Sequence, residues 1–472
     1  MRRSRPGAWD GGKYVLPLTM VMAGVPTQLT NAFSSLARLG PRALGRASRA
    51  PVMVQDQRGY KAPTGFYESL GSPVFVAAPM VDQSEAAFRY LVRRHGCQLA
   101  FTQMLHAATF ADPLAGAFRE QHFDGVDDGG DRPLVAQLCG DDPDTLVRAA
   151  RYVEGQVDAV DLNLGCPQKI ARRGHYGAFL LREPELCEHI IATMARELSC
   201  PVTAKIRLRE SEEDTLDLVR RLEHAGVQML TVHGRTVQQA KTKQGSADWS
   251  MIRRVREAVS VPVVANGGVE TLEDARRCLQ ETGADGVMSS EALLENPALF
   301  DETVVPLHEL QGVEVAHRLL SLACEYLGLA HTFAAPLHKI RGHLFKMLYR
   351  LLEHQGNHDL RSRLASKKLK TAGAEAVVLE LCSRYRFDSE ERALMETRVL
   401  AAADSEASLR ADSDLQATGP GGVASGRGDS GPGASLVGTL DSLNRDAAAA
   451  AAVPAQVSQK TWYHRHRDRH KL

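Results

Sequence analysis

The stretch Val160-Asp161-Leu162-Asn163-Leu164-Gly165-Cys166-Pro167-Gln168 runs from an apolar strand into a small turn and then to a cysteine pinned by a proline. A polar or reactive side chain at the end of a buried strand is where a barrel or an open sheet presents groups to a ligand. Taken alone, such a thiol reads more simply as a small hydrophobe packed in a core. Its surroundings decide the fold and give the thiol its chemistry.

Outward from this stretch, one pattern holds from Pro73 to about residue 297. Short β-branched or apolar runs recur: Val74-Met80, Leu99-Met104, Leu134-Leu138, Ala159-Leu164, Val202-Leu208, Met229-His233, Val261-Ala265 and Gly286-Ser289. Between them lie helix-length amphipathic segments, Ser84-His95, Pro143-Glu154, Pro184-Leu198, Glu212-Ala225, Trp249-Ala258 and Leu272-Thr282. Gly96, Gly155, Gly226 and Gly283 stand where helix stops are expected. Eight strands with helical crossovers predict an α/β fold of the (β/α)8 TIM-barrel type. An open doubly wound sheet is the alternative, but no GxGxxG follows the first strand.

With 472 residues the chain has room for two or three domains, and a hydrophobic content of 44% supports a large core. A net charge of zero excludes crude whole-molecule attraction to polyanions but not a local basic patch. The eight cysteines form no CxxC pair, which argues against a zinc site or a disulfide framework and for a reducing compartment. No apolar run reaches the length of a membrane span.

The chain divides by composition into residues 1–55, 56–304, 305–400 and 401–472. In the first part Arg2, Arg3, Arg5, Lys13, Arg38, Arg42, Arg46 and Arg49 face one acid, Asp10. That is the composition of a transit peptide, although a disordered extension is the preferred reading. Pro17 interrupts the apolar run Val15 to Val25, and Met53 is an alternative start. The barrel is assigned to 56–304 and a small all-α helical domain to 305–400. The last part, with Arg427-Gly428-Asp429 and a terminal His/Arg cluster, reads as a disordered tail. In the helical part, Leu337, Ile340, Leu344, Met347, Leu348 and Leu351 make an apolar stripe after Pro336. Lys339, His343, Lys346 and Arg350 share a separate face, extended by Arg361, Arg363, Lys367, Lys368 and Lys370. A solvated charged face is the common explanation; a basic ridge is also what phosphate-backbone binding requires.

In a barrel the reactive groups sit at the C-terminal strand ends. These are Ala78-Pro79-Met80, Gln137, Asn163 with Cys166, Lys205-Ile206-Arg207, His233-Gly234-Arg235, Asn266-Gly267-Gly268 and Ser289-Ser290-Glu291. Gly267 and Gly268 permit close backbone approach, and the loops after strands seven and eight are the usual phosphate site of this fold. Lys205 and His233 beside that site suit an anionic ring such as a reduced flavin, with Gln137 on its edge and Pro79-Met80 against its face. An unperturbed thiol has a pKa of about 8.5, so Cys166 is mostly protonated at neutral pH and can act as an acid. Hydride added to one carbon of a conjugated C=C leaves a carbanion-like neighbour for that thiol to protonate. No His or Asp adjoins Cys166 to make it a thiolate nucleophile.

Asn163-Leu164-Gly165-Cys166-Pro167, Lys205-Ile206-Arg207, Val232-His233-Gly234-Arg235-Thr236 and Ala265-Asn266-Gly267-Gly268 together resemble the tRNA-dihydrouridine synthases, over about Val74 to Lys370. Ala78 to Glu85 and Arg173 to Leu180 look most like the eukaryotic branch acting on D-loop positions 16 and 17. The resemblance implies an FMN enzyme that takes hydride from NADPH and reduces the uracil C5=C6 bond in tRNA. A monomer in the cytoplasm is expected, with the nucleus and, through the basic N-terminus, the mitochondrion left open. The resemblance makes Cys166 the proton donor and assigns FMN to Ala78, Pro79, Met80, Gln137, Lys205, His233, Asn266, Gly267, Gly268, Ser290 and Glu291. It places Asn163 and Arg207 near the flavin or the substrate base, has Tyr176 pack on that base or order the loop, and puts the helical domain, with Lys339, Lys346 and Arg350, on the tRNA; no metal is expected. Much of the family carries Gly-Arg where this chain has Ser290-Glu291, and a glutamate cannot pair with phosphate. Two rivals remain: a flavin barrel reducing a free small molecule, and a non-catalytic RNA-binding barrel.

Overall fold

Alternation along each strand sorts the side chains into two cores. In the computed structural model, which describes residues 65–125, 130–239 and 245–400, the strands are β1 Phe75–Ala77, β2 Leu99–Phe101, β3 Leu134–Cys139, β4 Ala159–Leu164, β5 Val202–Leu208, β6 Leu230–Thr236, β7 Val263–Asn266 and β8 Gly286–Ser289. Val76, Leu99, Phe101, Val135, Ala159, Val264 and Met288 pack with one another inside the ring. Their sequence neighbours Phe75, Ala77, Ala100, Ala136, Val160, Val263 and Val287 pack outward against the helices. Period two makes this segregation inevitable once both faces of a strand are covered.

Every pairing is parallel, and the ring closes where β1 pairs with β8 through Phe75↔Val287 and Ala77↔Ser289. β2 reaches β3 through Ala100↔Leu134, and a two-residue strand, Leu105–His106, prolongs this edge against Leu138 and Cys139. The fold is thus a closed eight-stranded parallel barrel of the TIM type with helices following it. Register aligns the polar strand ends: Gln137 is opposite Asp161, Asn163 opposite Lys205, Arg207 opposite His233, and His233 opposite Asn266.

The crossover helices are α1 Ala86–Arg94, α2 Pro143–Ala150, α3 Pro184–Glu197, α4 Glu212–His224, α5 Trp249–Ala258 and α6 Leu272–Thr282. Their starts are capped by Asp142, Ser211, Asp248 and Thr271, each accepting a backbone N–H one turn into its helix. Of the expected glycine stops, Gly96, Gly226 and Gly283 have positive φ. Gly155 differs, because α2 ends at Ala150 and the chain passes through a tight turn, Glu154–Gln156, before β4.

Beyond the barrel come α7 Val313–Thr332, α8 Leu337–Met347, α9 His358–Ala365 and α10 Thr371–Arg384. They dock on α1 through buried polar groups as well as apolar ones. The Glu85 carboxylate, at the start of α1, accepts from Tyr326 Oη of α7 at 2.8 Å and pairs with His343 Nε2 of α8 at 3.0 Å. The His343 ring lies on Phe88, centroids 4.4 Å apart. No helix among the described residues is long and apolar enough to cross a membrane. The basic segment within 1–55, the Arg427-Gly428-Asp429 tripeptide and the terminal basic cluster lie outside the described residues.

The basic stripe on α8 is not the solvent-facing ridge that its spacing suggests. Lys339 and His343 are buried, at 4% and 0% exposure, and Lys346 and Arg350 are half-buried. His343 turns toward Glu85 and Lys346 toward a polar cavity at the barrel mouth, so like spacing of charges does not mean exposure to water. Lys367, Lys368 and Lys370, after α9, are exposed.

Candidate active site

At the C-terminal mouth of the barrel lies a cavity of about 540 Å³. Ala78, Pro79, Met80, Gln137, Lys205, His233, Asn266, Gly267, Gly268, Ser290 and Glu291 all line it, together with Asn163, Cys166, Arg207 and Lys346. Three residues assigned to the substrate lie elsewhere. Tyr176 is buried against Cys139 and Ala171, beneath Cys166; Lys339 is buried in α8; Arg350 lines a separate, smaller cavity with Glu295 and Asn296.

The cavity wall is a chain of hydrogen bonds running from the barrel interior to the cysteine. Asp161, fully buried on β4, accepts from Thr203 Oγ1 at 2.8 Å and from Gln137 Nε2 at 2.9 Å. Asn163 Nδ2 donates to Gln137 Oε1 at 2.7 Å. Asn163 Oδ1 then accepts the backbone N–H groups of Gly165 and Cys166 at 3.1 and 3.0 Å. The turn after β4 is therefore held by a side chain two residues inside it, and Arg207 Nε fixes the far side by donating to Gly165 O at 2.8 Å. Gly177 backs the cysteine with φ +68°; a Cβ there would lie 2.8 Å from Cys166 O. His175, two residues earlier, joins Asp141 and Glu183 at 2.8 and 2.7 Å.

Three cations, Lys205 and Arg207 of β5 and Arg235 of β6, converge on the cavity. Lys205 Nζ donates to Asn266 Oδ1 at 2.9 Å, while Asn266 Nδ2 donates to Met288 O. Arg235 is 1% exposed and directs Nη1 at His233 Nε2, 3.1 Å away. Burial brings Lys205 down to about 8, with Arg207 adding to the effect. Burial and Arg235 bring Arg207 down to about 10. The same burial, with Arg207, Lys205 and Arg235 around it, holds His233 neutral. The positive charge of this wall thus comes from Lys205, Arg207 and Arg235, and His233 faces the cavity as an uncharged ring. Burial raises Asp161 to about 6 against its hydrogen bonds from Gln137 and Thr203 and the charge of Lys205.

Gly267 and Gly268 follow β7 with φ of +103° and +78°. A Cβ at Gly267 would lie 2.8 Å from His233 Cδ2. Only glycine lets the strand turn here without a clash, and Trp249 Nε1 holds the turn by donating to Gly267 O at 2.9 Å. Burial pushes the Cys166 thiol above its ordinary value; the Gln168 backbone, Arg207 and Lys205 oppose this without cancelling it. The site therefore joins a protonated thiol, a cationic wall and a glycine-lined end in one cavity.

A family model described as dihydrouridine synthase (Dus) matches residues 76–384. The chain belongs to this family. A mouse protein named as a tRNA-dihydrouridine(16/17) synthase NAD(P)(+)-like is 44% identical over 310 residues, covering 66% of this chain and 62% of the mouse chain. The tRNA-dihydrouridine(16/17) synthase of Saccharomyces cerevisiae is 41% identical over 315 residues, covering 66% of this chain and 73% of the yeast one. A mouse tRNA-dihydrouridine(20a/20b) synthase-like protein is 37% identical over 258 residues, covering 54% and 77%. The match thus spans less than two thirds of the first mouse relative.

Several features of this site escaped the sequence reading. Asp161 had a signal, since it lies two residues before Asn163 and so points to the same side of β4. Arg235 stands at the end of β6, where nothing in the local sequence marks it as buried. Trp249 and Gly177 had none, because their partners are distant in sequence or lie in a loop. The short helix Lys169–Arg173 follows Cys166 directly and exposes Lys169, Ile170, Arg172 and Arg173 beside the cavity mouth.

Proposed function

We propose that this chain reduces the C5=C6 bond of a uridine in the D-loop of tRNA, at position 16 or 17, with FMN as cofactor and NADPH as reductant. The observation that carries the reading is the cavity itself, whose lining brings together Cys166, the three cations and Gly267-Gly268. Family membership and the names of the 16/17 relatives support it.

The residues suit a flavin mononucleotide. The cavity volume falls in the range of about 300–1,000 Å³ usual for cofactor sites. Pro79 and Met80 offer an apolar wall, while Gln137 and Lys205 offer donors to a ring edge. Gly267 and Gly268 leave backbone room near the loops where this fold binds phosphate. When bound and reduced, the cofactor supplies the hydride that enters the C5=C6 bond.

The chain's own residues do the rest. Cys166, held by Asn163 Oδ1, presents a protonated thiol and gives the proton to the carbon that does not receive hydride. Its raised pKa keeps that proton in place at neutral pH. Lys205, Arg207 and Arg235 stabilise negative charge developing in the site, where low dielectric strengthens their effect. The target base must leave its stack to enter a cavity of this depth. Lys169, Arg172 and Arg173 at the mouth, with Lys367, Lys368 and Lys370 on the helical segment, offer cations to the tRNA backbone.

The test is to incubate purified protein with NADPH and tRNA lacking dihydrouridine, then map the modified positions. Reduction at 16 or 17 is the expected result. Reduction of free uridine or another small enone at a comparable rate, with tRNA inert, would favour the small-molecule reductase instead.

A further inference from the structure

The glycine-lined end of the cavity carries a carboxylate, Glu291, that a phosphate would avoid. The same end also receives a cation from outside the barrel. Lys346 of α8 lines the cavity, donates to Gln83 Oε1, and lies within electrostatic reach of Glu291. It is brought there by one face of its helix. A Cβ at Gly342 would lie 2.5 Å from Gln83 Nε2, so α8 packs closely on the Gln83 side chain of the β1–α1 segment. His343 is paired with Glu85 at 3.0 Å. Lys346 follows one turn after Gly342 and is aimed over the rim between Gln83 and Glu291.

We propose that Lys346 is the phosphate ligand of this cavity: its ammonium offsets Glu291 and binds the phosphate of the mononucleotide, so that the helical segment completes the cofactor site. The proposal rests on the flavin reading above. Burial lowers Lys346 to about 8 while Glu291 and Glu85 oppose the shift, so the ammonium already lies within electrostatic reach of the carboxylate it has to offset. A simple tie between α8 and the barrel would hold the helix whichever flavin is bound. A phosphate ligand, in contrast, distinguishes FMN from riboflavin, which share one ring system.

The experiment strips flavin from the full-length protein and measures FMN and riboflavin affinity by quenching of flavin fluorescence. Thermal melting of each flavin-free variant serves as the control for folding. Wild type should prefer FMN. Lys346→Met should lose roughly tenfold or more of that preference, about 1.4 kcal/mol, with riboflavin affinity nearly unchanged, and Lys346→Arg should keep most of it. Equal losses for both flavins, or an intact preference in Lys346→Met, would make Lys346 a tie only and overturn the proposal. Should Lys346→Met fail to fold, Glu291→Gln carries the test: it should raise the FMN preference several-fold, and no rise refutes the assignment. Wild-type protein that binds both flavins equally well refutes the phosphate ligand alone. Wild-type protein that binds neither refutes the flavin reading on which the proposal stands.

Discussion

Asn163 holds Cys166 in place. The amide oxygen accepts two successive backbone N–H groups, at Gly165 and Cys166, which fixes the turn that presents the thiol. Because burial raises the thiol pKa, its alkaline limb lies above the ordinary thiol value of about 8.5. Cys166→Ala should therefore keep its flavin and oxidise NADPH normally while uridine reduction in tRNA falls by about 10²–10⁴-fold. Single-turnover mixing of reduced protein with tRNA reads this directly, and wild-type speed in the variant would remove the thiol from the chemistry. Gly267→Ala is a test of shape. Its Cβ would lie 2.8 Å from His233 at a φ of +103°, so the variant should lose flavin affinity by at least about tenfold and unfold at lower temperature. Flavin titration and a melting curve check both.

Elements were more legible in the sequence than their facing. The eight strands follow from β-branched runs at regular spacing, and α5 and α6 begin and end where composition placed them. The orientation of α8 was not legible. Lys339, His343, Lys346 and Arg350 share a stripe that reads as solvated, yet Glu85, 258 residues from His343 in the chain, draws it inward. Local pattern contains no signal for a partner that distant. Burial alone would raise the Glu85 carboxyl, but the His343 charge and the hydrogen bonds from His343 and Tyr326 override it and bring it down to about 2. A depressed carboxyl adds stability that is complete above its ordinary value of 4.5 and is lost as pH falls toward about 2. Wild type should thus lose stability across that window more steeply than Glu85→Gln. Glu85→Ala, which leaves His343 and Tyr326 without their buried acceptor, should cost about 3–5 kcal/mol at pH 7. Urea denaturation at several pH values tests the window and the size together.

For the whole molecule, zero net charge means that attraction to a polyanion has to be local. Lys205, Arg207 and Arg235 line the cavity, and Lys339 and His343 of the α8 stripe are buried, so neither group forms an outer surface that a folded RNA would meet. Cations suited to that task stand on either side: Lys169, Arg172 and Arg173 beside Cys166, and Lys367 and Lys368 beyond α9. The first group is short in sequence and has no periodic signal of its own, and Arg173 stood out only as the start of the Arg173 to Leu180 stretch. The second was visible as basic composition. If both groups meet the tRNA backbone, each should contribute to the salt dependence of binding in proportion to the phosphates it neutralises, at about 0.7–0.9 in the log–log slope per contact. Replacing Lys169, Arg172 and Arg173 by alanine should lower the slope by roughly 2 to 3 and weaken tRNA binding most at low salt. Flavin content should remain unchanged, because none of the three lines the cavity. Filter binding over a range of potassium chloride concentrations measures the slope. An unchanged slope would place the RNA on the helical side alone, and the same substitutions at Lys367 and Lys368 would then carry the whole effect.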